Sequence, residues 1–390
     1  MHLAQASLEM KNGSPRARAL RAVRQWIADG LLEGGETLPP ERDISLKLGV
    51  GLGTVQRVLK LLQDEGTIVK HAGRTRTVSE SRDHVRGVLK DSVVVIDDWT
   101  DPFPALRSPG WSLFVTEGVL RGLGEMGLHA IVSQPRGIGE GNLDRLLASR
   151  PMGLIVPDIA AWGGDTSAFG FRALAAGVPV VIFGGEPGSE SFDRVEPDHA
   201  TGDYELTHWL LARGKKHIRQ FWPFTWVKPW VTSRRRGYEQ AMREAGLEPL
   251  EPIQGAQCAY PALDEALEFR SRVESTAGAL VPFLLGDKPT DAIMAVNDGI
   301  AVQSIAAIRL LGKIPNVDVE VVGYDDFWEE SPDRRFELVG PLATVDKNNV
   351  ECGRRLVSLL VERNQNKLPM EPQIRSVKPT LRVLGSKSFG

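Results

Sequence analysis

The stretch "LGVGLGTVQRVLKLLQDEG", residues 48–66, decides what kind of protein this is. Glycines at 49, 51 and 53 lead into a helix, a pattern shared by phosphate cradles and by the start of a DNA-reading helix. A dinucleotide fingerprint needs a strand before its glycines and an acidic residue about 20 positions further on. Here the helical pattern LPPERDISLKL precedes them. A P-loop would carry Gly-Lys-Ser/Thr, and this stretch does not. The glycines therefore read as the turn between two short helices. A second literal match to G-x-G-x-x-G, at Gly122, Gly124 and Gly127, closes a helical pattern, where Gly127 reads as a C-cap.

Upstream, ARALRAVRQWI puts Leu20, Val23 and Ile27 on one helical face and Arg18, Arg21 and Arg24 around the other. The next helix starts at Pro40 with Glu41 in its first turn, turns Ile44 and Leu48 inward, and stops at Gly49. The third carries Val55, Val58, Leu59 and Leu62 at i, i+3, i+4, i+7, and shows Gln56, Arg57, Lys60 and Gln63 outside. TIVKHAGRTRTV then reads as strand, Gly73-Arg74 tip and strand. Three helices and a basic hairpin predict a winged helix-turn-helix over residues 1–78.

Charge agrees with that reading. Residues 1–90 hold 15 Lys+Arg against 10 Asp+Glu, whereas the remainder holds 32 against 40. A basic head on an acidic body suits a head that meets phosphate. With 42% hydrophobic and 25% charged residues the chain has a globular composition. No apolar run reaches the 18 residues of a membrane span and the first residues have no apolar signal core, so a cytosolic protein is expected. Cys258 and Cys352 stand at no metal-ligand spacing, and no metal or other cofactor is expected.

The residues from LPPERDISLKLG through HAGRTRTV resemble the winged-helix head of the GntR family. That resemblance implies DNA contacts from Arg42, from the start of the third helix at Thr54, Gln56, Arg57 and Lys60, and from the wing at His71, Gly73 and Arg74. One departure stands out. Gly51, Leu52 and Gly53 occupy the place of the family's usual Ser/Thr cap and Arg, and Gln56 stands where Arg is common. Gly53 in the first turn should cost roughly 1 kcal/mol of helix propensity. Gln56 favours adenine where Arg would favour guanine.

Residues 79–91 are polar and read as a linker. From residue 92 strand and helix patterns alternate in two series: VVVI, HAIVS, GLIVPD and PVVIFGG in the first, HIRQFW, DAIMAVND and VEVVGYDD in the second. This predicts an α/β core, 92–390, of doubly wound parallel sheets in two lobes. Lobe 1 is expected over about 92–193 plus 330–365, and lobe 2 over about 194–329 plus 366–390. GVPVVIFGG, VEPDHATGDYELTHWLLARGKKHI, SRRRGYEQAMREAG, TDAIMAVNDGIAVQSI, VEVVGYDD and PLATVDKNNVECGRRLVSLL resemble, in that order, the effector-binding core of the LacI family. That core is itself similar to periplasmic sugar-binding proteins. A GntR head on such a core resembles the arabinose-repressor type of regulator.

The resemblance places Arg234, Asn297 and Asp325 in the cleft, at the strands' carboxyl ends. Arg forks onto adjacent hydroxyls and a carboxylate accepts from two, which suits a sugar. Trp99, Phe103 and Trp111 crowd one loop, and Trp222, Phe224, Trp226 and Trp230 another. Such rings can cover the apolar face of a pyranose. Trp99, Phe103, Trp111 and Trp230 join the candidate ligand site. The competing reading is a salt bridge or strand-end cap for the polar three, and core packing for the rings.

The expected function is a transcriptional regulator, a repressor of sugar-utilisation genes, that binds operator DNA as a homodimer and responds to a mono- or disaccharide. The alternative is a sugar- or nucleoside-processing enzyme using Asp97, Asp98, Asp325 or Asp326. Adjacent Asp residues at a strand end diverge, which makes poor acid/base pairs. Neither H-E-x-x-H nor G-x-S-x-G occurs. No catalytic activity is expected.

Overall fold

A computed structural model describes residues 14–28, 31–32, 35–64, 67–71, 75–79, 91–96, 111–133, 146–157, 166–225, 227–255, 264–286 and 288–384. The chain divides into two compact units, Met1–Asp91 and Ser92–Gly390.

In the first unit helices α1 (Pro15–Ala28), α2 (Glu41–Leu48) and α3 (Leu52–Asp64) precede a two-stranded antiparallel hairpin, β1 (Ile68–Lys70) and β2 (Arg76–Val78). Ala19 and Val23 of α1, Ile44 of α2 and Val55, Val58, Leu59 and Leu62 of α3 meet in one buried core, closed by Ile68 and Val78 of the hairpin. The expected helical spacing of α3 is thus its buried face. Gly49 ends α2 at φ 58°, a left-handed turn that glycine adopts without cost, and its N–H bonds back to Leu46. That turn aims α3 across α2.

The second unit has two lobes. The first holds a six-stranded parallel sheet in the order β13-β7-β6-β5-β3-β4, formed by β3 (Ser92–Ile96), β4 (His129–Ser133), β5 (Gly153–Val156), β6 (Val180–Phe183), β7 (Asp193–Pro197) and β13 (Ile374–Val377). Every residue of β3 is buried because both faces are covered. Val93 and Val95 face a core shared with α4 (Trp111–Glu125) and the late helix α10 (Asn349–Asn364), while Val94 and Ile96 face a core that includes Ala173 of α5 (Thr166–Ala175).

The second lobe's parallel sheet runs β11-β10-β8-β9, from β8 (Ile218–Trp222), β9 (Ile253–Gln254), β10 (Ala292–Ala295) and β11 (Glu320–Val322). An antiparallel pair, β12 (Ala343–Asp346) and β14 (Thr380–Val383), extends it: Gly323 donates to Ala343 at 2.8 Å and Asp325 to Val345 at 2.8 Å. Helices α6 (His199–Ala212) and α7 (Pro229–Glu244) cover one face, and α8 (Glu265–Leu284) and α9 (Asp298–Leu310) the other.

The chain passes between lobes three times, after β7, after β12 and after β13. Three expectations need correction. Residues 194–197 belong to lobe 1, because β7 pairs in parallel with β6. Residues 366–390 do not belong wholly to lobe 2, because β13 hydrogen-bonds in parallel beside β7 of the first sheet. Residues 330–346 do not belong to lobe 1: Asp333 accepts from Arg272 of α8 at 2.7 Å, and β12 continues the second lobe's sheet. Strand β7 (DRVEP) and helix α8 carry weak periodicity, and their sequence patterns do not announce them.

Helices α4 and α10 cross at glycines. A Cβ on Gly118 would lie 2.0 Å from the Val350 carbonyl oxygen, and one on Gly353 would lie 2.1 Å from that of Val115. Both obstacles are backbone, so the helices would have to separate. Gly118→Ala should therefore lower stability by about 1–3 kcal/mol, read as a falling denaturation midpoint; an unchanged midpoint would mean that the crossing is looser than described.

Candidate functional site

On the head, Arg42, Gln56, Arg57, Lys60 and His71 are exposed and Thr54 is half-buried. Gly73 and Arg74 lie outside the described residues. Glu41 organises this face. Its carboxylate accepts from Gln56 Nε2 at 2.9 Å and pairs with Arg76 of the wing, so α2, α3 and the hairpin share one acid. The hydrogen bond from Gln56, followed by that from Arg76, holds the Glu41 carboxyl below its usual range. Gln56 therefore enters any DNA contact already held at its amide nitrogen. Arg57 Nε donates to Gly53 O at 3.0 Å, and His71 Nε2 lies 2.8 Å from Thr77 Oγ1. Added Cβ atoms at Gly51 and Gly53 would meet nothing within 4 Å. Packing does not demand these glycines; they leave the start of α3 bare around a partly exposed Leu52.

In the core, Arg234 lies on α7, one turn beyond Trp230, and is buried. Its Nη1 donates to Val296 O at 2.7 Å, its guanidinium carbon stands 3.3 Å from the Tyr324 ring centre, and Trp230 lies on it at 4.9 Å. Two carboxylates flank it, Asp203 of α6 at 4.0 Å and Asp325 at 3.9 Å. Asp325 is held at φ 87° in the loop after β11 and pairs with buried Lys347 at 2.9 Å. Backbone conformations of this kind are strained for a residue with a Cβ and tend to mark sites where geometry outweighs local stability.

Burial governs the acidities here. It lowers Lys347, against the opposing pull of Asp325. It raises Asp203 to about 6, although Arg234 and a hydrogen bond from Gln220 work the other way. His199, at the start of α6 and 3.5 Å from Arg234 Nε, is only partly accessible; desolvation, then the charges of Arg234 and Lys347, take it well below its ordinary value. His199 is accordingly neutral at physiological pH.

Beneath this cluster Asp298 is fully buried and accepts from Phe327 N at 2.8 Å, Trp328 N at 3.1 Å and Thr344 Oγ1 at 2.7 Å. It holds the loop that carries Asp325. Burial raises its carboxyl to about 8 despite these donors.

The structure brings Arg234, Asp325 and Trp230 together. Asn297 sits at the same strand ends as the N-cap of α9, accepting from Ile300 N at 2.9 Å and keeping its Nδ2 as a donor. Trp222 and Phe224 instead pack with Trp230 at ring separations of 6.0 Å on the second-lobe core, so these rings are mainly core. Trp99, Phe103, Trp226 and the side chain of Trp111 lie outside the described residues, as do Asp97 and Asp98. Asp325 and Asp326 diverge, one to Lys347 and the other to Arg382 at 3.4 Å. Sequence reasoning missed Asp203, His199 and Lys347. Lys347 could have been found from its place between β12 and α10, where the chain crosses between lobes.

Residues 15–78 match the family of bacterial regulatory proteins named gntR, and residues 208–386 match the periplasmic binding protein-like domain. The chain is 27% identical over 241 residues to the HTH-type transcriptional repressor PurR of Histophilus somni strain 129Pt, covering 62% of this chain and 66% of that protein. It is 23% identical over 313 residues to the arabinose metabolism transcriptional repressor of Geobacillus stearothermophilus, covering 78% and 80%. The solved complex of the transcriptional regulator CelR with cellobiose superposes with a TM-score of 0.55 at 21% identity, covering 89% of this chain and 99% of that one. That likeness establishes the shared fold.

The depressed His199 has a pH consequence. The unfolded chain takes up a proton at His199 near pH 6.5 and the folded chain does not, so stability falls as pH drops below that value, by up to about 1.4 kcal/mol per pH unit. His199→Gln should flatten this part of the pH–stability curve between 6.5 and 5 relative to wild type. Parallel curves for the two proteins would place the His199 ring in water.

Proposed function

We propose that this chain, a bacterial regulator with a GntR-type head and a LacI-type core, is a sequence-specific repressor whose operator affinity is set by a sugar held between the lobes. The observation that carries the reading is the convergence of Arg234, Asp325, Asn297 and Trp230 at the strand ends of a two-lobed core, in a chain that also bears a winged head with an exposed reading face. A guanidinium, a carboxylate and an amide beside an indole supply both donors and acceptors for hydroxyls and a flat apolar surface for a ring. The arabinose and CelR–cellobiose relatives favour the same ligand class.

The repressor acts as a homodimer in this proposal. Helix α4 exposes Leu113 and Leu120, seven residues apart on one face, and edge strand β4 exposes Val132. A second copy would cover these apolar side chains and would place two reading helices on successive turns of DNA. Closing the lobes on the ligand shifts that spacing. The ligand acts only to the extent that it binds one state better than the other.

A thermal-shift screen with pentoses, hexoses, disaccharides and nucleosides tests the ligand class. A sugar at about 100 times its Kd should stabilise by about 2.7 kcal/mol, and Arg234→Ala should abolish that shift while leaving DNA binding intact. A shift with nucleosides alone would overturn the sugar assignment. On the head, Arg42→Ala should reduce the slope of log affinity against log salt by about one; an unchanged slope would remove Arg42 from the phosphate contacts.

A further inference from the structure

Asp325 has a second side. Between the lobes, on the flank formed by the first turns of α4 and α10 and the end of β14, lies a cavity of about 530 Å³, well within the range of small-molecule sites. Six carboxylates stand in its wall: Asp325, Asp326, Glu329, Glu330, Asp346 and Glu351. Among the described residues its two arginines each hold a carboxylate, Arg354 through Nη2 that of Glu125 at 2.8 Å and Arg382 that of Asp326 at 3.4 Å, while Arg354 Nε is buried without a hydrogen-bond partner. Lys347 answers Asp325, and Arg355 answers Glu351 at 2.8 Å. Among the described residues no cation pairs with Glu329, Glu330 or Asp346.

A second observation is independent of charge. Asn349, at the start of α10, is 3% exposed and forms part of the same wall, yet its Oδ1 is buried with no hydrogen-bond partner. Leaving such an acceptor unmatched is costly, and a bound donor would satisfy it. The rings of Phe114 and Trp328 also border the space. A cavity lined by uncompensated carboxylates, an unmatched amide oxygen and aromatic rings asks for a cation that donates hydrogen bonds.

The repulsion is visible within the site: burial first, then the charges of Asp346, Glu330 and Glu329, raise Asp326 to about 6 in spite of Arg382. A bare metal ion does not fit this description, since no group of three or more His, Cys, Asp or Glu among the described residues is arranged to hold one.

We propose that this cavity binds a small organic ammonium ion, an amino sugar or a polyamine, at a site that shares the Asp325 wall with the Arg234 cluster but is separate from it. The inference stands apart from the sugar reading. A cation here would draw on the carboxylates that Arg234 and Lys347 face from the other side, so the two sites are coupled through one residue.

The test uses the full-length protein and three probes measured by calorimetry at low and at physiological salt: glucosamine, spermidine and the neutral analogue N-acetylglucosamine. Glucosamine or spermidine should bind at least about tenfold more tightly than N-acetylglucosamine, with affinity falling as salt rises. Glu329→Gln/Glu330→Gln changes two exposed side chains that the fold does not need, and should weaken the cation roughly fivefold or more. Asn349→Ala should weaken it further. Equal binding of glucosamine and N-acetylglucosamine, absence of cation binding, or cation binding that the double variant leaves unchanged would overturn the proposal. A neutral sugar whose binding is lost in Arg234→Ala and kept in the double variant would leave the repressor reading standing whatever the cations do.

Discussion

The core depends on one carboxylate being shared. Asp325 Oδ1 lies 2.9 Å from Lys347 Nζ and 3.9 Å from Arg234 Nη2, with all three side chains almost fully buried. Ions removed from water in this way are costly unless each has its counter-charge, so the loop after β11, helix α7 and the crossing between β12 and α10 must assemble together. Asp298 fixes the loop from below, and Tyr324 stacks on the guanidinium from the side. Truncating one partner would strand the others, which is why such clusters are sensitive places for a ligand to act.

That arrangement explains how a small molecule could move a whole lobe. Lys347 stands on one of the three chain crossings between lobes, so anything that competes for Asp325 acts on the hinge itself. A second tie between lobes lies across the cleft, where Lys228 ahead of α7 meets Glu186 after β6 at 2.8 Å. It is partly exposed and adds little to stability, but it favours the arrangement in which the lobes approach. In the proposed repressor, hinge and latch are where the two arrangements that allosteric coupling needs would differ.

Much of this was legible in the sequence. The β-branched run VVVI reads as a strand buried on both faces and the i, i+3, i+4, i+7 pattern of Val55, Val58, Leu59 and Leu62 as a packed helix, and the structure has both. Arg234, Asn297 and Asp325 were found through resemblance. The remainder is decided in three dimensions. Asp203 sits inside a helix with no local sign of burial, and the capping use of Asn297 depends on the strand that precedes it. Helix α8 escaped notice because Gly278 and Pro282 interrupt its pattern, and β13 joined the first lobe because parallel pairing beside β7 leaves no mark on its own residues. On the head, the signal of Glu41 lay in its place in the first turn of α2, but its two partners come from α3 and the wing.

The proposed repression rests on thermodynamic linkage between the cleft and the head. It is tested most directly by measuring the Kd for an operator selected in vitro, by fluorescence anisotropy, with and without a saturating amount of whichever sugar stabilises the core. A change of about fivefold or more, mirrored by an equal change in sugar affinity when operator is saturating, is the predicted result. Identical operator affinity with and without a demonstrably bound sugar would contradict it.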